Sequence, residues 1–134
     1  LRAVVQWPGE PSEYQGVGQP QVYQSADNVG YTVLDMPAPT DNVESSVKMV
    51  CEMTTMAMKM KLDAPKAEKK YEADSGTCRF RVEGETLLMG MVVAKSKQVF
   101  MFNVALPKTV DAQAHKDAIE TFFKSYRLVP VNGP

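Results

Sequence analysis

The stretch Cys78–Pro107, CRFRVEGETLLMGMVVAKSKQVFMFNVALP, constrains the fold of this chain more than any other. Cys78, Phe80 and Val82 alternate with Arg79, Arg81 and Glu83, a period of two that buries one face and wets the other. Glu83-Gly84-Glu85 reads as a tight turn, because glycine reaches the positive φ that such a reversal requires. Leu87–Ala94 and Val99–Ala105 are apolar on both faces, as central strands covered on each side are. Lys95-Ser96-Lys97 is short enough to close a hairpin between them, and Pro107 ends the ladder. The reading is three consecutive antiparallel strands. Gly90 marks a bulge or the close approach of another backbone. Asn103 is read as a buried amide with its partners satisfied.

The remaining segments supply cover and edges. Ala3–Trp7 reads as an opening strand, stopped by Trp7-Pro8-Gly9-Glu10-Pro11. Residues 8–20 are rich in glycine and proline and read as a loop with a short strand near Tyr14. Gln21–Ser25 is a short strand, Asp27-Asn28 a turn, and Val29–Leu34 a strand that ends at Pro37. Asp41 caps a first helix, with Glu44 completing a capping box, and Pro65 bars continuation past about Leu62. On a helical wheel Glu44, Lys48, Glu52, Thr55 and Lys59 form a polar stripe. Val43, Val50 and Ala57 are expected to face the sheet, with Met49, Met53, Met56 and Met60 on one flank and Cys51 and Met58 on the other. Glu68–Ala73 reads as a strand turned by Asp74-Ser75-Gly76. Asp111 caps a second helix to about Tyr126, whose stripe is His115, Ala118, Ile119, Phe122, Phe123 and Tyr126. Residues 128–134 read as a tail. Length predicts one α+β domain over 1–134, partly irregular over 1–20, with enough chain to bury a core without staples.

The chemistry is sparse. A formal net charge of -1 gives no field for nucleic acid or an anionic membrane, and Lys66–Lys70 reads as a solvated run. No apolar stretch reaches membrane-spanning length, so no transmembrane segment is expected. Beginning at Leu1, the chain reads as processed or trimmed, any targeting segment already removed. The single histidine, His115, reads as a packed or capping residue. Without a companion histidine or a Cys-x-x-Cys it makes no zinc site. Cys51 and Cys78 permit one disulfide, with two buried free thiols as the competing reading. No catalytic constellation stands out, so no enzymatic activity and no cofactor are expected. An enzyme would need a cleft that gathers His115 or a cysteine with a carboxylate.

Nine methionines are the one compositional oddity. For Met49, Met53, Met56 and Met60 three readings stand: gap-filling between helix and sheet, an adaptable surface for a partner protein or small ligand, or a thioether site for Cu(I).

Several fragments resemble one family. Trp7-Pro8-Gly9-Glu10-Pro11 resembles its opening aromatic-Pro-Gly-x-Pro, and Tyr31-Thr32-Val33-Leu34-Asp35-Met36-Pro37 its Tyr-x-Val strand followed by Asp-x-Pro. Phe122-Phe123-Lys124-Ser125-Tyr126 resembles its closing Phe-x-x-Ser-Phe helix end, with tyrosine in place of the last phenylalanine. The family is that of small bacterial secreted or periplasmic proteins with a PsbP-like (Mog-type) fold. The resemblance implies a central antiparallel β-sheet flanked by two main helices, an α/β/α sandwich. It also implies a periplasmic or secreted address and a binding or assembly-assisting role, with no catalytic residues to carry over.

Overall fold

The computed structural model describes residues 1–8 and 21–130. The loop expected over 8–20 and the last residues of the expected tail fall almost entirely outside this range. The elements are β1 (Arg2–Val4), β2 (Gln21–Gln24), β3 (Gly30–Pro37), α1 (Val43–Lys61), β4 (Lys66–Glu72), β5 (Thr77–Glu83), β6 (Thr86–Lys95), β7 (Gln98–Pro107), a 3₁₀ turn (Ala112–His115), α2 (Lys116–Lys124) and β8 (Arg127–Val129).

The three strands read from Cys78–Pro107 are β5, β6 and β7, and they form the middle of a six-stranded antiparallel sheet ordered β2-β3-β7-β6-β5-β4. Ser96 and Lys97, both at positive φ, make the two-residue turn that joins β6 to β7. The pleat sorts side chains into two cores. Phe80, Val82, Leu88, Val92, Val99 and Met101 face α1. Tyr31, Val33, Met91, Val93, Phe100, Phe102 and Val104 face the other way, onto Ile119, Phe122 and Phe123 of α2. The fold is therefore α+β, with one helix packed on each face of the sheet.

Several expectations need correction. Residues 127–129 are strand β8, antiparallel to β1 in a separate two-stranded sheet, although a tail was expected from residue 128 onward. β1 itself ends at Val4, before Trp7. Trp7 instead stacks between Tyr23 and Phe122, at centroid distances of 6.0 and 5.7 Å. Lys66–Lys70 belongs to edge strand β4, where closely spaced charge discourages pairing with a further strand. Gly90 makes no bulge, since the ladder runs unbroken through Phe80, Gly90 and Asn103. It is required by a side chain: a Cβ there would overlap the Phe80 ring and stand 2.7 Å from Asn103 Oδ1. That oxygen is buried and has no hydrogen-bond partner among the described residues, contrary to the satisfied amide expected.

Candidate functional site

α1 begins at Asn42, whose side chain accepts a hydrogen bond from Ser45 N at 2.8 Å; Asp41 and a Glu44 capping box are not used. The helix buries Ser46, Val47, Val50, Cys51 and Thr55. Val43 and Ala57, expected on the sheet, are exposed, and Thr55, expected in the polar stripe, is buried. At about 100° per residue, the buried stripe is rotated by roughly 55° from the expected one, toward the flank of Cys51 and Met58. The cause is covalent as well as apolar. Cys51 is disulfide-bonded to Cys78 on β5, with Cα atoms 6.3 Å apart, which settles the cysteine alternatives and fixes that flank against the sheet. Thr55 tolerates burial because its hydroxyl donates to Cys51 O at 2.7 Å, the back-bond by which a helix satisfies a threonine.

The same rotation puts the methionine flank on the outside. Met49, Met53, Met56 and Met60 are 41, 63, 59 and 82% exposed, so gap-filling between helix and sheet is overturned for these four. Only Met58 of α1 packs partly against the core. The row is bordered on the β4 side by fixed charge. Glu52 pairs with Lys69 at 3.0 Å, Lys48 pairs with Glu44 at 3.3 Å, and the Lys48 ammonium lies 4.8 Å above the Tyr71 ring. Among the described residues no group of three His, Cys, Asp or Glu side chains is placed to hold a metal ion. Thioethers are the soft donors that this helix presents to solvent, because the disulfide ties up both sulfurs of Cys51 and Cys78.

His115 does not cap α2 with its side chain. Its Nε2 is 2.6 Å from Asp27 Oδ2, and Ser25 Oγ donates to Asp27 Oδ1 at 2.6 Å. A serine, an aspartate and a histidine thus meet, an association invisible to sequence spacing because 88 residues separate Asp27 from His115. The carboxylate stands in the middle, however, so the imidazole does not bond to the serine oxygen. Nucleophilic catalysis needs the base on the nucleophile and the acid behind the base. Ser25 Oγ also accepts from Val29 N, which makes the cluster a clamp between the β2–β3 turn and the start of α2. The hydrogen bond from Ser25, and then that with His115, hold Asp27 below its ordinary carboxylate pKa. Burial raises the Tyr31 phenol nearby, helped by the charge of Asp27.

A groove of about 390 Å³ opens on the α2 face, floored by Met89 and Phe123 and walled by Arg79, Arg81 and Glu120. Its guanidinium groups are compensated. Arg79 stands 3.6 Å from Glu120 and 4.6 Å above the Phe123 ring, and Arg81 Nε donates to Glu83 Oε1 at 2.6 Å. That bond is the main reason the Glu83 pKa is lowered.

A six-stranded antiparallel sheet with a helix on each face defines a PsbP-like protein in the sense of fold. The solution structure of cyanobacterial PsbP (CyanoP) from Synechocystis sp. PCC 6803 matches over 91% of this chain and 99% of its own, with a TM-score of 0.50 and 13% identity. The crystal structure of PA94 from Pseudomonas aeruginosa, described as a protein of unknown function and putative regulator, matches over 92% of this chain and 90% of its own, with a TM-score of 0.54 and 11% identity. No family model and no curated protein matches the sequence. The described residues of the resembling fragments are largely structural: Trp7, Tyr31, Phe122 and Phe123 are buried, and Ser125 Oγ donates to Phe122 O and accepts from Gln6 N.

Proposed function

We propose that the chain is a non-catalytic binding or assembly-assisting module, acting in the periplasm or after secretion, that engages a protein partner through Met49, Met53, Met56 and Met60. The observation that carries this reading is the exposure of four methionines in one row on the solvent side of a helix whose other face is fully used. Contiguous exposed apolar surface marks interaction sites, and the unbranched thioether adapts to varied apolar partners. The disulfide supports an extracytoplasmic address, because thiols persist reduced in the cytosol. Among the described residues no helix is long and apolar enough to cross a membrane. A Cu(I) site on the same row is the second reading, favoured by the fact that all four thioethers are open to solvent.

Two double variants separate the readings. Met53→Leu/Met56→Leu keeps the surface apolar and removes sulfur; Met53→Asp/Met56→Asp removes the apolar character. Pull-downs from the native cell envelope should retain the partner with the leucine pair and lose it with the aspartate pair. A thermal shift produced by Cu(I) alone and lost in the leucine pair would favour the metal. Undiminished capture by the aspartate pair would refute the partner surface.

A further inference from the structure

The spacing and borders of the methionine row identify what covers it. Met49, Met53, Met56 and Met60 recur at intervals of four, three and four, which is the d-a-d-a seam of a heptad repeat. The seam is about 17 Å long at the rise of an α-helix. It faces away from the sheet, so a second helix can lie along it without disturbing the core. In this register Glu52 and Lys59 occupy g positions and Ala57 an e position.

Seam borders decide orientation. In a parallel pair g meets e of the other helix, which sets Glu52 against Ala57 and gains no charge interaction. In an antiparallel pair g meets g. The row is then symmetric about its own midpoint, so that Met49 lies on Met60 of the second copy and Met53 on Met56, in four layers. The same two-fold axis brings Glu52 of each copy toward Lys59 of the other. Lys59 is exposed and makes no ion pair among the described residues, while Glu52 is held in position by Lys69. Sulfur layers and charges are satisfied together by one operation, as the self-complementary interface of a symmetric dimer requires.

We infer that the partner of the methionine face is a second copy of this chain, docked antiparallel through α1 with reciprocal Glu52–Lys59 pairs. The inference rests on the reading that this face is a protein-binding surface. Sedimentation of the purified, oxidised protein over a micromolar-to-millimolar series tests it without any cell extract. The wild type should dimerise, and Met53→Asp/Met56→Asp should remain monomeric with an unchanged circular dichroism spectrum. Glu52→Lys and Lys59→Glu alone should each weaken self-association on the order of tenfold, since each turns two attractions into two repulsions. An equimolar mixture of the two single variants should restore the wild-type affinity as a mixed dimer, and so should the double variant E52K/K59E. A wild type that is monomeric throughout overturns the self-pairing and leaves the partner surface to be judged by the pull-downs. Single variants that dimerise as the wild type does, or a mixture that restores nothing, overturn it as well.

Discussion

Reducing the Cys51–Cys78 bond should cost this fold a large share of its stability. The bond closes a loop with a sequence separation of 27. Loop-closure entropy for that span corresponds to about 3.5 kcal/mol at room temperature. The thiols released are buried, at 0 and 2% exposure, in surroundings that suit an uncharged sulfhydryl, so reduction adds little strain of its own. Domains of this size are stable by only about 5–15 kcal/mol, which makes the loss conspicuous. The assay is urea unfolding of oxidised protein against protein unfolded in reductant, refolded, and kept reduced. Trp7 is buried in the α2-side core while the disulfide lies in the α1-side core, so its fluorescence, matched to far-ultraviolet circular dichroism, also tests whether both cores melt together. With a urea slope of roughly 1.5–2 kcal/mol per molar, the midpoint should fall by about 2 M. Cys51→Ala/Cys78→Ala should lie lower still, by on the order of 1 kcal/mol for each lost sulfur. A midpoint that moves by less than about 0.5 M would refute the loop-closure argument for this bond.

Two further outcomes follow from the geometry. Gly90→Ala should destabilise by about 1–3 kcal/mol, because the new methyl overlaps the Phe80 ring and crowds Asn103; thermal unfolding checks it, and an unchanged melting temperature would show that the ring moves aside freely. The lowered Asp27 pKa means that its contribution is present in full above about pH 4 and is lost as pH falls through the native value. Chemical denaturation at neutral and acid pH should therefore show Asp27→Asn weaker than wild type near neutrality and level with it in acid, and a pH-independent difference would contradict the assignment.

The central strands were legible because their signals are local: alternation in β5, doubly apolar runs in β6 and β7, turn residues between them. β8 was not, since three residues acquire strand character only by meeting β1, which lies more than a hundred residues earlier in the chain. The orientation of α1 was misread for a physical reason. Apolar residues occur around most of this helix, and a wheel that assigns apolar positions to the core cannot tell Ala57, which is exposed, from Cys51, which is buried. The crosslink to β5 decides between them, and sequence left that crosslink open. The clamp of Ser25, Asp27 and His115 was hidden in the same way, because its members come from a turn and a helix start brought together by the sheet.

The pairing of β1 with β8 has a mechanical consequence. Arg2 lies opposite Val129 and Val4 opposite Arg127, so residues 1 and 130 leave the same end of a short ribbon. Tension applied between those residues opens the ribbon rung by rung, as a zip is opened, along with the bond from the Leu1 ammonium to Gln98. The six-stranded sheet is loaded only through that Gln98 contact until the ribbon has parted. The fold thus carries its mechanical fuse at the seam between the outermost described residues, at the margin of the α2-side core and away from the methionine face.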